Sequence, residues 1–211
     1  MQVNLIDRPS FYAKYGKRLL DIFISSIILP IVVLFMLIIA ISLLIVSGRP
    51  IFFIQERTGL NYSNFQIWKF RTMRIDQIQK SKVNDWEGGV PEQFVFKNSQ
   101  DTRMTGIGKL LRKLSLDELP QIINVLKGEM SLVGPRPEVP EITAYYNLEQ
   151  SKRLYMKPGI TGLAQINGRS NIPHGRKINY DIDYVENCSF LLDIKILMRT
   201  ISVVFSREGA Y

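Results

Sequence analysis

The 211-residue sequence contains a single cysteine, Cys188, and a single histidine, His174. One cysteine excludes an internal disulfide, and one Cys with one His cannot supply the roughly four ligands of a Cys/His zinc cluster. A Ser-His-Asp mechanism would depend on His174 alone, so we interpret both residues as incidental to function. Catalysis is expected to rest on carboxylates, lysines and arginines, with an oxygen-ligated metal as an option.

The sequence also lacks charge over one long stretch. The 27 residues from Ile22 to Gly48 carry no charge, and 21 of the 25 from Ile22 to Val46 are apolar. A run longer than about 18 residues is typical of a membrane segment, and a signal peptide has an apolar region of only about 7–15. The chain is therefore not a plain soluble domain. We divide it into a lead with a membrane-inserted helix, residues 1–48, and a second domain, residues 49–211.

Pro30 lies inside this run, where it removes a backbone donor and clashes with the carbonyl of Ser26. The pattern predicts a kink or break there, and Ser25 and Ser26 could satisfy the freed backbone groups. The two arms would measure about 12 Å and about 26 Å, each shorter than a hydrocarbon core of roughly 30 Å. Two interpretations stay open: a kinked helix that spans the bilayer, or one that turns at Pro30 and leaves on the same face.

The net charge of +8, from 27 Lys and Arg against 19 Asp and Glu, indicates a negatively charged partner. Nucleic acid, anionic lipid and phosphorylated small molecules all fit such an excess, and the membrane run favours the last two. Four basic residues precede the run and five follow it up to residue 74. This balance means that the positive-inside rule gives no orientation.

Outside the membrane run, the sequence predicts a mainly helical α+β fold with short strands. Strands are predicted at 51–54 and 65–70 around a turn at 59–64. Helices are predicted at 107–114, at 120–127 before Gly128, at 141–156 and at 188–205, the last as an interfacial or docking helix. Glycine and proline predict a loop at 157–176, and the polar segment 76–100 indicates a surface excursion.

The adjacent acids Asp117 and Glu118 are the first candidate for chemistry. Ser115 and Glu118 match a capping box, which would make the acids part of a helix start. Pro120 argues against this, because proline prefers the first helical position and so leaves both acids just outside the helix. Two carboxylates among basic residues can act as nucleophile, base or Mg²⁺ ligand.

Arg136 is the second candidate, since Pro135 and Pro137 bracket it and stiffen the backbone that presents it. A rigidly held guanidinium suits phosphate, although a stiff turn with a solvated arginine fits equally well. The glycine-rich stretch 157–169 could bring backbone amides close to an anion, or it could be a flexible surface loop. The cations that flank Phe70 indicate, taken alone, the solvated face of a strand.

These blocks, in their order along the chain, resemble one family: the bacterial sugar transferases that act as monotopic phosphoglycosyl transferases. The resemblance runs from about residue 14 to residue 205. The matching segments are Lys17-Arg18-x-x-Asp21, residues 48–59, Lys69-Phe70-Arg71-Thr72-Met73, residues 111–121, 124–131, 134–137 and 158–169, and Asp181-x-x-Tyr184-Val185.

The resemblance implies an enzyme that transfers a sugar phosphate from a UDP-sugar to a polyprenyl phosphate, usually undecaprenyl phosphate. UMP is released, and the product starts the synthesis of a polysaccharide, O-antigen or glycoprotein glycan. Asp117 is implied as the nucleophile, through an aspartyl-phosphosugar intermediate, and as a ligand of Mg²⁺, with Glu118 assisting. The phosphate-binding residues implied are Lys69, Arg112 and Arg136, and the donor-binding residues are Gly162, Arg169 and Asp181.

The resemblance also implies a re-entrant membrane helix, with Ser26 and Pro30 at its break and both flanks in the cytoplasm. Residues 49–211 would then form a compact catalytic domain on the cytoplasmic face of the inner membrane, with amphipathic helices at the interface. Membrane lipid is an expected partner and nucleic acid is not. A homo-oligomer, the identity of the sugar and the role of 76–100 stay open, and so do direct transfer in one ternary complex and a non-catalytic basic module that binds anionic lipid.

Overall fold

The computed structural model describes residues 10–74, 86, 89–95, 103–168 and 172–206. Most of them are helical, in agreement with the predicted fold class. After a π-helical turn at Tyr12–Gly16, the α-helices are α1 (Lys17–Ser47), α2 (Gly106–Lys113), α3 (Ile122–Lys127), α4 (Pro140–Thr143), α5 (Leu148–Ser151), α6 (Leu163–Ile166), α7 (His174–Glu186) and α8 (Phe190–Ser206). The strands are β1 (Phe52–Thr58), β2 (Asn64–Phe70), β3 (Ser131–Val133) and β4 (Gly159–Thr161), and 3₁₀ turns lie at Leu60–Tyr62, Leu116–Gln121 and Lys152–Tyr155.

α1 is a 31-residue helix, about 46 Å long, most of whose apolar side chains are exposed. Among the described residues it is the one helix long and apolar enough, with the turn before it, to cross a membrane. The helix continues through Pro30, so its hydrogen-bonded path is not broken there, and the predicted kink stays a prediction. Leu29 and Val32, on either side of the proline, pack against the core and hold the helix there. Ser25, which we predicted to satisfy freed backbone groups, is buried with its hydroxyl unpaired among the described residues.

The first turns of α1 are fastened to the globular part by buried polar contacts. The Lys17 ammonium donates to the Tyr184 hydroxyl and to Asp193 Oδ2, each at 2.8 Å. One turn later, Asp21 Oδ1 accepts a hydrogen bond from the backbone N–H of Leu132 at 2.9 Å. These two residues of the first matching segment therefore anchor the helix.

The last turns of α1 contact the same globular part. Ile39 and Leu43 are buried against Phe70, the last residue of β2. The Arg71 guanidinium donates to the Gly48 carbonyl at 2.9 Å, directly after the helix ends. One domain therefore holds both ends of α1.

The hairpin of β1 and β2 is the predicted pair of strands, although β1 extends to Thr58 and not only to residue 54. The strands are antiparallel and in register from Phe52 opposite Phe70 to Thr58 opposite Asn64. The hairpin places Lys69 close to the end of β2, from where its side chain reaches the site described below.

The predicted loop at 157–176 is wrong in part. Its residues Gly159–Thr161 form β4, which pairs in parallel with β3, and α6 and the start of α7 follow within the same segment. Pairing between strands so far apart in sequence gives no local signal. Glycine is required at Gly159, because a Cβ there would lie 2.1 Å from the backbone nitrogen of Gly134.

The remaining helix predictions are confirmed with changed boundaries. The segment 107–114 is α2, the tail is α8, and the stretch 141–156 is divided into α4, α5 and a 3₁₀ turn. α8 docks on the domain through Asp193 and Ile196, which are buried, and leaves Leu191 and Met198 exposed. Of the excursion 76–100, only residue 86 and residues 89–95 lie among the described residues.

Candidate active site

Asp117 and Glu118 lie inside the 3₁₀ turn Leu116–Gln121, so the prediction that they precede the helical segment is wrong. The capping box, the alternative that Pro120 argued against, does not form: Ser115 has left-handed backbone geometry (φ 55°) and its side chain makes no capping hydrogen bond. Pro120 sits within the turn and not at the start of α3. The tight turn presents both acids on one short element.

Glu118 is held by two cations from different elements. Lys69 Nζ and Arg136 Nη2 each lie 2.8 Å from the same atom, Glu118 Oε1. Lys69 comes from β2, and Arg136 comes from the loop after β3 that the two prolines stiffen. Burial alone would raise the pKa of Glu118, but the Arg136 and Lys69 charges hold it well below its usual range. Glu118 is therefore ionised and fixed in place.

The Asp117 carboxylate differs from that of Glu118 in its hydrogen bonds and in the direction of its pKa shift. It is 9% exposed and accepts no hydrogen bond from the described residues. Burial and the neighbouring Glu118 charge raise its pKa, although Lys69, Arg112 and Arg136 oppose the shift. The pair thus contains one carboxylate bound by cations and one that is unbound and more basic, a division typical of acids with separate roles.

Arg112, the third predicted phosphate-binding residue, reaches this site from α2. Its Nε donates to Thr72 Oγ1 at 2.9 Å, and its charge acts on Asp117. Lys69 faces Glu118, while Arg71 binds the end of α1. The cluster around Phe70 is therefore not a solvated strand face: it joins the site, the core and the membrane helix.

The loop that carries Arg136, residues 134–138, is held from outside at four successive carbonyl groups. Two of its residues are prolines, which have no N–H to contribute to regular structure. Each carbonyl accepts one hydrogen bond from another segment: Pro135 O from Gly159 N (2.8 Å), Arg136 O from Arg153 Nη2 (2.8 Å), Pro137 O from Arg57 Nη1 (3.1 Å) and Glu138 O from Thr58 N (2.9 Å). The loop is therefore rigid, as the sequence predicted.

Asp181, predicted to bind the donor, is fully buried and forms an ion pair with Arg153. Burial raises the pKa of Asp181 to about 6, against the effect of the Arg153 charge. Arg153 also donates to the Tyr146 hydroxyl at 2.5 Å. The sequence analysis did not single out Arg153, because one arginine outside a recognised motif gives no signal that it is buried.

The other predicted donor-binding residues are placed as follows. Gly162 precedes α6, and a Cβ there would lie 2.1 Å from the Gly134 carbonyl oxygen, so glycine is needed for close packing against the Arg136 loop. Its contact with a donor stays a prediction. Arg169 lies outside the described residues. Gln165 was missed: it is buried, and both its amide nitrogen and oxygen lack partners among the described residues.

Ser26 and Pro30 are not brought to the acid pair. Ser26 lines an apolar cleft between α1 and the start of α8, together with Tyr12, Phe23 and Phe190. This surface is continuous with the exposed apolar side chains of α1. A membrane role for these two residues stays a prediction.

The acid pair fits a magnesium ion that is shared with substrate. Mg²⁺ is usually bound by one or two carboxylates together with substrate phosphates and water. Asp117 offers a carboxylate without hydrogen bonds, and Glu118 has one oxygen not used by the two cations. Within the described part of the chain, no three His, Cys, Asp or Glu side chains converge as a metal cage. The protein residues thus fit a metal that depends on phosphate for its other ligands.

Comparison with known protein families matches residues 12–207 to the family described as bacterial sugar transferase. An uncharacterized sugar transferase, EpsL, from Bacillus subtilis is 45% identical over 77% of this chain and 73% of its own length. The undecaprenyl-phosphate galactose phosphotransferase of Salmonella typhimurium is 38% identical over 100% of this chain and 44% of its own length. A UDP-glucose:undecaprenyl-phosphate glucose-1-phosphate transferase from Xanthomonas campestris is 40% identical over 98% of this chain and 42% of its own length. The chain thus spans less than half the length of the last two relatives.

Proposed function

Because this chain belongs to the bacterial sugar transferase family, we propose that it transfers a sugar 1-phosphate from a UDP-sugar to undecaprenyl phosphate or a similar polyprenyl phosphate. The names of the Salmonella and Xanthomonas relatives support this substrate class. The observation that carries the proposal is the division of the acid pair. Glu118 is bound by Lys69 and Arg136, and Asp117 is left without a hydrogen bond.

In the proposed reaction, an Asp117 carboxylate oxygen attacks the β-phosphorus of the donor. The bond from that phosphorus to the bridging oxygen breaks, and UMP leaves with that oxygen. A phosphate oxygen of the polyprenyl phosphate then attacks the same phosphorus and displaces Asp117. The product is a polyprenyl-diphospho-sugar, and the carboxylate is regenerated. The raised pKa of Asp117 supports this role, since a more basic carboxylate is a better nucleophile.

The fixed cations around the pair supply the electrostatic part of the reaction. Phosphoryl transfer is mostly positioning and neutralisation of charge on the phosphate oxygens, and Lys69, Arg112 and Arg136 are placed for that. Magnesium held by Asp117 and phosphate would neutralise charge on the diphosphate. Glu118 keeps Lys69 and Arg136 beside Asp117 when no substrate is bound.

We also propose that α1 is embedded in a membrane from one face, as a re-entrant helix. Lys17 and Leu43 are about 39 Å apart along the helix, and both contact the same domain. A spanning helix would force this domain, with its charged site, to extend through the hydrocarbon core. Two flanks on one face avoid that cost. By its relatives' substrates, the face would be the cytoplasmic face of the inner membrane.

The proposal is tested by UMP release from a panel of UDP-sugars, with Mg²⁺ and undecaprenyl phosphate. Wild-type protein should release UMP from at least one donor, and Asp117→Asn should lose activity by at least about 1,000-fold. Glu149→Gln, which changes an exposed acid paired only with Lys152, is the matched control and should keep full activity. Full activity of Asp117→Asn would rule out the covalent route. No UMP from any donor would favour a non-catalytic module that binds anionic lipid.

A further inference from the structure

Arg153 connects three groups in the interior of the domain. The residue is 1% exposed, and its two terminal nitrogens bind the Tyr146 hydroxyl, the Asp181 carboxylate and the backbone carbonyl of Arg136. Arg153 belongs to the 3₁₀ turn Lys152–Tyr155, whereas Asp181 belongs to α7. One guanidinium thus joins α7 to the loop that carries Arg136.

A buried ion pair of this kind is weak evidence for a role in stability alone. Removing two charges from water is costly, and well-packed apolar residues of the same volume often stabilise a protein as well or better. What the pair supplies here is a fixed direction, because the planar fork of arginine can hold a carboxylate and a carbonyl at once. The carbonyl that it holds is the one of Arg136, whose side chain reaches Glu118.

The Asp181 carboxylate lies in the domain interior and is paired with Arg153. The residue is fully buried, Arg153 takes one of its oxygens, and the other has no partner among the described residues. Its contacts with the site therefore run through Arg153 and through the backbone of Arg136.

We propose that Arg153 and Asp181 are positioning residues, which hold the backbone of Arg136 so that its guanidinium stays on Glu118 beside Asp117. The expected effect on rate rests on the proposed function, whereas the position of the Arg136 guanidinium does not. Direct binding of the donor by Asp181 stays a prediction.

A double-mutant cycle on the full chain in membrane nanodiscs tests the effect on rate. Arg153→Lys keeps the charge but loses the planar fork that binds the Tyr146 hydroxyl, the Asp181 carboxylate and the Arg136 carbonyl together, and Asp181→Asn keeps the shape but removes the charge. Each should lower kcat for UMP release about tenfold in the wild-type background, with a smaller change in the donor KM. In an Arg136→Ala background each should change kcat less than twofold. Equal losses in both backgrounds would overturn the proposal.

Asp193→Asn is the matched control, because Asp193 forms an equally buried pair with Lys17 far along the chain from Arg136. Its effect on kcat, corrected for the folded fraction, should be the same with and without Arg136. If Arg153→Lys and Asp181→Asn acted through a general loss of packing, their effects on kcat would also be the same with and without Arg136.

A second measurement does not depend on activity. In protein labelled with ¹⁵N-arginine, the Arg136 guanidinium should give resolved resonances that report restricted rotation on Glu118; they are assigned by their absence in Arg136→Ala. In Arg153→Lys and in Asp181→Asn, faster rotation of the Arg136 guanidinium should average these resonances. In Asp193→Asn they should stay resolved. Unchanged Arg136 resonances in both variants would overturn the inference. Absence of UMP release from wild-type protein would instead overturn the proposed function and leave this result standing.

Discussion

Asp117 and Glu118 are adjacent in the chain, yet their carboxyl pKa values are displaced in opposite directions. Burial and the Glu118 charge raise the pKa of Asp117, whereas Arg136 and Lys69 lower that of Glu118 despite its burial. The chemical difference between the two acids comes from β2 and from the Arg136 loop, which lie on opposite sides of them in sequence.

The first prediction concerns a covalent intermediate on Asp117. Wild-type protein mixed with a donor labelled on the sugar, without polyprenyl phosphate, should retain label after denaturation, because the acyl phosphate has no acceptor. Asp117→Asn should retain none, and Glu149→Gln should retain as much as wild type. Label is measured on the denatured, washed protein, and addition of undecaprenyl phosphate before denaturation should remove it. No label on a wild-type protein that does release UMP with acceptor present would favour direct transfer in a ternary complex.

The second prediction concerns pH dependence through Lys69. Because the Lys69 charge lowers the pKa of Glu118, Lys69→Met should raise that pKa toward its usual range. The acidic limb of the kcat/KM profile for UMP release should then move to higher pH. Lys152→Met, which removes a lysine paired with an exposed acid, should leave the limb in place. A limb that stays fixed in Lys69→Met would show that Glu118 ionisation does not control the rate.

The third prediction concerns stability and His174. Burial lowers the pKa of this histidine to about 4, and its Nε2 lies 3.3 Å from the Tyr146 hydroxyl. The unfolded chain binds the proton first, near pH 6.5, so the folded state loses stability as pH falls from 6.5 toward 4, by up to about 3 kcal/mol. Denaturant unfolding at pH 7.5 and 5.0 measures this loss. His174→Gln should reduce the difference between the two pH values, and an unchanged difference would contradict the assignment to His174.

The fourth prediction concerns the path of α1. In a Cys188→Ser background, Ser10→Cys and Ser63→Cys replace exposed serines before and after the helix. A membrane-impermeant maleimide added to inverted inner-membrane vesicles should label both cysteines, because both flanks lie on the cytoplasmic face. Intact spheroplasts should label neither. Labelling of the two positions from opposite faces would establish a spanning helix.

Local patterns were enough to predict several elements. Short runs of apolar and aromatic residues around a turn gave the β1–β2 hairpin, and the helical spacing of leucines in 107–114 gave α2, because these signals depend on near neighbours. The bracketing prolines gave the rigid presentation of Arg136. The family resemblance named Lys69, Arg112, Asp117, Glu118 and Arg136, and the structure brings these five together.

What the sequence could not supply depends on distant contacts. Pro30 predicts a break by local sterics, but packing of its neighbours on the core keeps α1 continuous. Gly159 suggests a loop, but its partner for strand formation is 28 residues earlier, at Ser131. The burial of Arg153 follows from three partners in three separate segments. In each case a contact with a residue distant in sequence overrides the local structural preference.

The short distance between Lys69 and Arg71 bears on how a lipid substrate is reached. Lys69 binds Glu118 and Arg71 binds the end of α1, and two residues of extended chain span about 7 Å. The polar headgroup layer on one side of a bilayer is of similar thickness, roughly 5–8 Å. In the proposed arrangement, with α1 in the hydrocarbon core, the carboxylates would lie at the height of the lipid phosphates. A polyprenyl phosphate acceptor would then react without leaving its leaflet, and its isoprenoid tail would stay among the neighbouring lipids.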